Sequence, residues 1–362
     1  LMQMVASKFQ KSSQFFSRMV SIETLKKILA TLAPWIFTLA ASAIILTFVG
    51  ESPLHVFNVL FQSAFGTLEN FSFTLYLAAP LLLAGTAVAL AFEAGLFNIG
   101  AEGQLYMGSL FAAIVAFATS SWVSAGFITS ALVIVMGIVA SFAGGAAWGA
   151  IAGGLRAKFR VHEVIATIML NFIAYAVVNW AILYPLKNLE TQNPETIGLA
   201  LPFQIPRLWQ QTTWSLPLAL LVSFLAIKGL RKTWGGFRIR AVGKNPTAAK
   251  FAGMSVEKTQ IVAFALSGGV AGLIGFHEVF CHSYRLIDSF SPGFGFTGLA
   301  IALTARGSIF SLIVSTLILS ALHKGSLDLD IETEKVTRDL SLVIQALILI
   351  ALTIRTANRG KS

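Results

Sequence analysis

Apolar residues along the chain gather into runs of about 15 to 25, separated by short polar stretches. A helix that crosses a bilayer needs about 20 predominantly apolar residues. The pattern therefore predicts about ten transmembrane helices, near residues 28–49, 72–92, 102–119, 125–155, 163–184, 214–230, 260–281, 292–305, 307–322 and 341–354. The fourth run is too long for one straight span, and the eighth is short and interrupted by Gly and Pro. The expected fold is an all-α polytopic membrane protein.

Composition agrees with the pattern. Of 362 residues, 12% are charged and 56% hydrophobic, against about a quarter charged in a soluble globular domain. With so few charges, no water-soluble fold of this length covers its own surface, so soluble enzymes, disordered chains and DNA-binding modules are excluded together. The net charge of +10 matters through its placement. With the N-terminus inside and the spans alternating, 20 of the 26 Lys and Arg fall on the inner side and 6 on the outer. This is the positive-inside bias of a membrane protein, and it predicts both termini inside and no nucleic-acid partner. The lone Cys281 excludes an intrachain disulfide.

Residues 1–27, with Lys8, Lys11, Arg18, Lys26 and Lys27, are expected to form a cytoplasmic leader. No small-residue cleavage site follows a short apolar core, so the first run reads as an uncleaved span. Residues 28–354 form the transmembrane domain and 355–362 a cytoplasmic tail.

Within the spans, Gly145, Gly149 and Gly153 share one helical face, and Gly268, Gly272 and Gly275 form a similar one. Such faces let helices approach closely, so both sets are expected to pack helices.

Polar interruptions carry the functional signal. The stretch from Glu93 to Gln104 places Gly95, Gly100 and Gly103 beside Asn98, Glu102 and Gln104 between two apolar runs. Glycines at this density disfavour a continuous helix. Irregular backbone at membrane depth survives only when buried in protein or lining a wet cavity; the alternative is a simple cytoplasmic turn. A second interruption spans Ser291 to Gly298, about half a chain length later. Paired interruptions of this kind point to a transporter's substrate site. Asn171, Asn179, His277 and Glu278 are isolated polar residues inside spans. An intramembrane ionisable residue is functional by default, although Glu278 and His277 stand close enough to a span end to be solvated there.

The longest inner loop, 231–259, contains its own punctuation. Asn245 suits an N-cap, Pro246 the first helical turn and Gly253 a left-handed C-cap. The segment between them predicts a helix of under two turns, too short to be stable alone and shaped as a knob for a groove on another protein. The other reading is a membrane-surface anchor through Phe237, Arg238 and Arg240. No phosphate-binding loop is legible: Gly360-Lys361-Ser362 lacks the first glycine and has no helix after it in this sequence. If transport consumes ATP, a separate subunit binds it.

Gly95-Leu-Phe-Asn-Ile-Gly-Ala-Glu-Gly-Gln104 and Arg240-Ala-Val-Gly-Lys-Asn-Pro-Thr-Ala-Ala-Lys-Phe-Ala-Gly253 resemble a known family. So do Val161–Asn171, Ala265–Gly272 and Phe290–Phe296, in consistent order from about residue 70 to 350. The sequence resembles permease subunits of bacterial ATP-binding-cassette importers, in the branched-chain amino acid/ribose permease superfamily and its nucleoside/simple-sugar branch. Thr297, where the family usually has Asp, and the stretch Ala302–Arg306 depart from its pattern.

The resemblance implies a type II-like permease with broken helices in the bacterial cytoplasmic (inner) membrane, carrying nucleosides, purine ones first. Simple sugars such as ribose or galactose are the alternative. It implies a second permease subunit (a heterodimer before a homodimer), two ABC ATPase domains and an extracytoplasmic substrate-binding lipoprotein. The chain itself is then no enzyme and holds no cofactor, ATP being bound by the partner. Gly243, Asn245, Pro246, Ala248, Ala249 and Gly253 become the ATPase-coupling segment. Asn98, Glu102, Gln104 and Asn171 become hydrogen-bonding residues of the substrate pathway, and Phe97, Tyr106, Phe172 and Phe296 its aromatic surfaces. An ion-coupled secondary transporter would instead need a titrating carboxylate such as Glu93 or Glu102. An intramembrane enzyme would need a His/Asp constellation, which the scattered His55, His162, His277, His282 and His323 do not form in sequence. A scaffold without transport is the remaining rival.

Overall fold

The computed structural model describes residues 36, 40–122, 124, 126–305, 308–333, 343 and 346. The leader 1–27, residues 28–35 of the first expected span, the tail 355–362 and nearly all of the expected span 341–354 lie outside the described residues. The chain divides into two compact units, one of Leu1–Asn58 with Leu329–Ser362 and one of Val59–Asp328. The second holds both polar interruptions.

The helices, in chain order, are α1 (Ala40–Val49), α2 (Pro53–Phe65), α3 (Leu68–Glu93), α4 (Ala101–Ala118), α5 (Phe127–Phe159), α6 (Glu163–Leu183), α7 (Ser215–Lys232), α8 (Trp234–Lys244), α9 (Pro246–Phe251), α10 (Val256–Phe276), α11 (Phe294–Ala305) and α12 (Ile309–Glu332). Among the described residues six helices are long and apolar enough to cross a membrane, or seven if the bent pair α1–α2 is one span. The protein is therefore a multi-pass, helical membrane protein.

Several elements differ from the sequence expectation. The fourth apolar run is one unbroken helix of 33 residues, ~50 Å long at 1.5 Å per residue. It outruns a bilayer core of about 30 Å. Its last turn carries Arg156, whose Nε lies 3.1 Å from Glu163 at the start of α6. The hydropathy pattern also missed α2, which follows α1 across a 113° bend at Gly50 (φ 88°). The stretch 231–259, read as a loop, is mostly helical. Thr233 caps α8 by accepting a hydrogen bond from Gly236 N (3.1 Å), and α9 follows immediately.

A three-helix core supports the site. The two glycine faces predicted from spacing meet each other: a β-carbon on Gly145 would run into the backbone of Gly268 and Gly272, one on Gly149 into Phe264, and one on Gly153 into Ile261. Gly108 of α4 meets Gly272 in the same way. Helices α4, α5 and α10 thus pack backbone against backbone, where dispersion contacts accumulate without side chains between the helices.

Beyond α10 the chain continues as a wider π-helical turn over His277–His282. The segment from Tyr184 to Trp214 folds over it: Ile205 N donates to Phe280 O (2.9 Å), Tyr284 Oη donates to Ile205 O (3.0 Å), and Arg285 Nη1 pairs with Glu195 (2.8 Å). Its short hairpin, Arg207–Trp209 with Thr212–Thr213, is pinned to α3 because Gln211 N and Thr212 N both donate to Ser72 Oγ (2.8 and 3.0 Å). Of the two readings left open for His277 and Glu278, burial is the one observed. His277 Nδ1 lies 2.6 Å from Ser215 Oγ.

Gly268→Leu forces the α5 and α10 backbones apart and is expected to cost about 1–3 kcal/mol, read as a lowered melting temperature in detergent. Gly154→Leu, on the same helix as Gly145 but facing open space, is expected to leave that temperature nearly unchanged.

Candidate functional site

The first interruption begins where α3 ends. Ala94 N and Gly95 N turn back on Ala91 O and Phe92 O (3.0 and 2.9 Å), and Leu96 N on Ala91 O (3.1 Å). Gly95 takes φ 70°, a left-handed conformation open to glycine at no steric cost. The chain then reaches Asn98, which bonds Ser267 inside α10, and Ser267 in turn bonds Ala87 inside α3. The seven residues 94–100 are thus not a superficial turn.

Asn98 is the pivot of this segment and is fully buried (0% exposed). Its Nδ2 donates to Gln104 Oε1 (2.8 Å) and Ser267 Oγ (2.7 Å). Its Oδ1 accepts from Gly100 N (3.0 Å) and Gln104 Nε2 (3.1 Å). Ser267 Oγ donates in turn to Ala87 O (2.5 Å), tying α10 to α3. From the other side Asn171 of α6 brackets the break: its Oδ1 accepts from Gly103 N (2.8 Å) and its Nδ2 donates to Ile99 O (3.0 Å). Gly100 N and Gly103 N belong to the start of α4, where a helix leaves its first N–H groups without internal partners. Two asparagine side chains supply those partners.

The second interruption meets the first. Ser291 Oγ accepts from Gly293 N (3.3 Å) and Phe294 N (3.2 Å) and starts α11, while Gly293 takes φ 93°. Gly295 N then donates to Glu102 Oε2 (2.7 Å). A β-carbon on Gly295 would collide with the Glu102 backbone, and one on Gly298 with Ala84. Glu102 also stands in the first turn of α4. Tyr106 joins the same junction: its ring lies 4.6 Å from that of Tyr175 and 4.8 Å from that of Phe290, and Tyr175 Oη donates to Ser289 Oγ (2.8 Å).

The segment with Asn245 reaches the first interruption as well. Asn245 Oδ1 accepts from Ala248 N (3.0 Å), Pro246 opens α9, and Gly253 takes φ 78°. Ala249 is buried, Ala248 is exposed, and Phe251 is 89% exposed. Just before Asn245, in the last turn of α8, Gly243 abuts the end of α3: a β-carbon there would stand 2.7 Å from Ala94 C and 2.8 Å from Gly95 N. The contact is reciprocal, since a β-carbon on Gly95 would stand 2.9 Å from Gly243 O. A hollow of about 300 Å³ beside it is lined by Phe92, Glu93, Arg240, Lys244 and Ala302, among others.

The residues singled out from sequence therefore separate into groups. Asn98, Gln104, Asn171 and Glu102 converge on the break, with hydrogen bonds directed to the protein itself. Phe97, in edge contact with Phe92 at 5.2 Å, and Phe296 are 49% and 52% exposed and present aromatic surface. Phe172 stands apart. It is 67% exposed and lines a shallow hollow with Ile173, Ala176, Val177 and Trp180. Sequence reasoning passed over Ser267 as a partner of Asn98, although a hydroxyl next to Gly268 and Gly269 inside an apolar run was the available signal.

Comparison with known proteins adds an independent line. Residues 70–353 match the sequence family described as the branched-chain amino acid transport system permease component. The guanosine ABC transporter permease protein NupP of Bacillus subtilis is 33% identical over 91% of this chain and 94% of its own length. A glucose ABC transporter permease of Haloferax volcanii is 31% identical over 87% of this chain and 84% of its own. The nucleoside ABC transporter permease protein NupB of Lactococcus lactis is 32% identical over 83% of this chain and 84% of its own. No solved structure matches the chain at a significant level.

Asn98→Ala removes a buried partner from both Gln104 and Ser267 and is expected to destabilise the chain by about 1–3 kcal/mol. Phe97→Ala, which loses only half-exposed ring surface, is expected to cost about 1 kcal/mol or less. Thermal unfolding of the two variants in one detergent compares them directly.

Proposed function

The chain belongs to the branched-chain amino acid transport system permease family, and from that premise we propose that it is the permease subunit of an ATP-driven nucleoside importer. The observation that carries this reading is the 33% identity to a guanosine permease over 91% of the chain, supported by the nucleoside permease of Lactococcus lactis. Purine nucleosides are the first-choice solutes. The second reading, a simple sugar, rests on the glucose permease at 31% identity.

The proposed setting is the bacterial cytoplasmic membrane, with ten spans and both termini inside. The bias of 20 inner against 6 outer Lys and Arg favours that orientation. Residues 1–27 act as the leader, 28–354 as the permease domain and 355–362 as the tail. A second, different permease subunit, two ATPase domains that bind the ATP and an external binding lipoprotein complete the assembly.

In the proposed cycle α9 is the coupling knob, offering Phe251 and Ala248 to the ATPase and held in shape by Asn245, Pro246, Ala249 and Gly253. When ATP closes the ATPases, motion of α9 passes through α8 to the Gly243–Gly95 contact and so to the first break. Two backbones in direct contact have no flexible side chain between them to absorb the displacement. Glu102 and Gly295 pass it on to the second break, and the pathway alternates between its two openings. Phe97 and Phe296 offer rings on which a base can stack, and Phe172 a further apolar surface. Asn98, Gln104 and Asn171 are pathway residues that hold the broken backbone in shape.

Uptake of radiolabelled guanosine and of radiolabelled glucose by cells lacking this gene tests the reading. Guanosine uptake is expected to fall and to return with the wild-type gene but not with Gly243→Val/Asn245→Ala made at equal levels. Loss of glucose uptake alone would transfer the assignment to sugars, and unchanged uptake of both would remove the solute assignment.

A further inference from the structure

A crevice of about 500 Å³ opens between α7, α8 and α10, outside both breaks. Val222 and Leu225 of α7 face Val262 and Leu266 of α10 across it, and Leu90 of α3 lies at its side. The apolar part extends along α10 from Val262 to Val270, a rise of ~12 Å at 1.5 Å per residue. One end is polar. There the crevice is lined by Arg238 and Lys258, from two different helices, and no acidic side chain is among its lining residues. Both cations are exposed.

The same end carries an aromatic pair. Trp234 stacks on Phe237 with ring centroids 5.2 Å apart, and the Arg238 guanidinium lies 5.5 Å from the Trp234 ring. Tryptophan collects where bilayer meets water, so this rim has the makeup of a headgroup level and the crevice below it that of the acyl region. A nucleoside has no tail for ~12 Å of apolar wall, and a free phosphate uses only the rim. An anionic lipid matches both parts, with basic side chains between helices at the membrane face forming a headgroup site.

We propose that this crevice binds an anionic phospholipid, one acyl chain lying between α7 and α10 and the phosphate meeting Arg238 and Lys258. The site touches α8, the helix whose far end bears Gly243, so an occupied crevice braces the element that leads from α9 to the first break.

Native mass spectrometry of the full chain in mild detergent, titrated separately with dioleoyl phosphatidylglycerol and dioleoyl phosphatidylcholine, tests this. Two basic side chains near a lipid surface set an expected preference of roughly 30-fold for phosphatidylglycerol. Arg238→Ala/Lys258→Ala is expected to reduce it to about 2-fold or less, since both basic contributions are gone. Arg238→Lys/Lys258→Arg keeps the charge and is expected to keep most of it. Leu266→Trp fills the crevice without changing charge and is expected to remove the tightest-bound lipid, with melting temperatures reporting that each variant is folded. Equal affinity for the two lipids, or a preference that survives both the double alanine and the Leu266→Trp change, would overturn the proposal. So would an assembled transporter that retains no phosphatidylglycerol at this site while the isolated chain does, because a protein segment would then occupy the crevice.

Discussion

One constraint organises the molecule: backbone that leaves the helical pattern inside an apolar bundle must find every hydrogen bond within the protein. Residues 94–100 impose that demand: Ala94, Gly95 and Leu96 N turn back on the end of α3, Asn98 Oδ1 takes Gly100 N, and Asn171 Nδ2 reaches Ile99 O, while Gln104 and Ser267 hold the Asn98 amide in place. Each satisfied bond contributes about 1 kcal/mol net, yet a buried group left unpaired costs about 1–3 kcal/mol. The arrangement is therefore fixed more by the penalty for breaking it than by the gain from making it. Its partners lie on α3, α4, α6 and α10, so the position of the break determines how those four helices meet.

Glycine does the complementary work. Gly95 against Gly243, and Gly295 against Glu102, bring the three polar segments of the sequence into direct backbone contact. The α4–α5–α10 core uses the same device through Gly108, Gly145 and Gly272, giving the broken helices a stiff body to pivot against. Close-packed interfaces transmit displacement because they contain little free volume to absorb it. The coupling proposed between α9 and the two breaks depends on that stiffness more than on any charged pair.

Much of this was legible in the sequence. Apolar run length located α3, α4, α6 and α10, and glycine spacing found two faces that turn out to face each other. Asn245, Pro246 and Gly253 announced α9 because caps are local chemistry, settled within a few residues of chain. What failed to show was non-local. Trp234-Gly-Gly-Phe reads as a loop because glycine is a poor helix former, but Thr233 caps it and Gly236 packs against the backbone of Gly229 and Leu230. The burial of Glu278 is set by tertiary packing, and the Asn98–Ser267 bond joins positions 169 residues apart. Asn171 and Phe172, neighbours in sequence, serve different surroundings because successive helical residues lie about 100° apart around the axis. The isolated polar residue was visible in each case, and its partner was not.

The most direct measurement is the distance between spin labels at Phe97, on the first break, and Lys250, in α9, recorded in the assembled transporter without nucleotide and with ATP trapped. If the break and α9 move as one body, that distance stays the same in both states, while the distance from Lys250 to a label at Ile128, at the start of α5, changes. A separation between 97 and 250 that shifts as much as the one between 128 and 250 would contradict transmission through the Gly95–Gly243 contact.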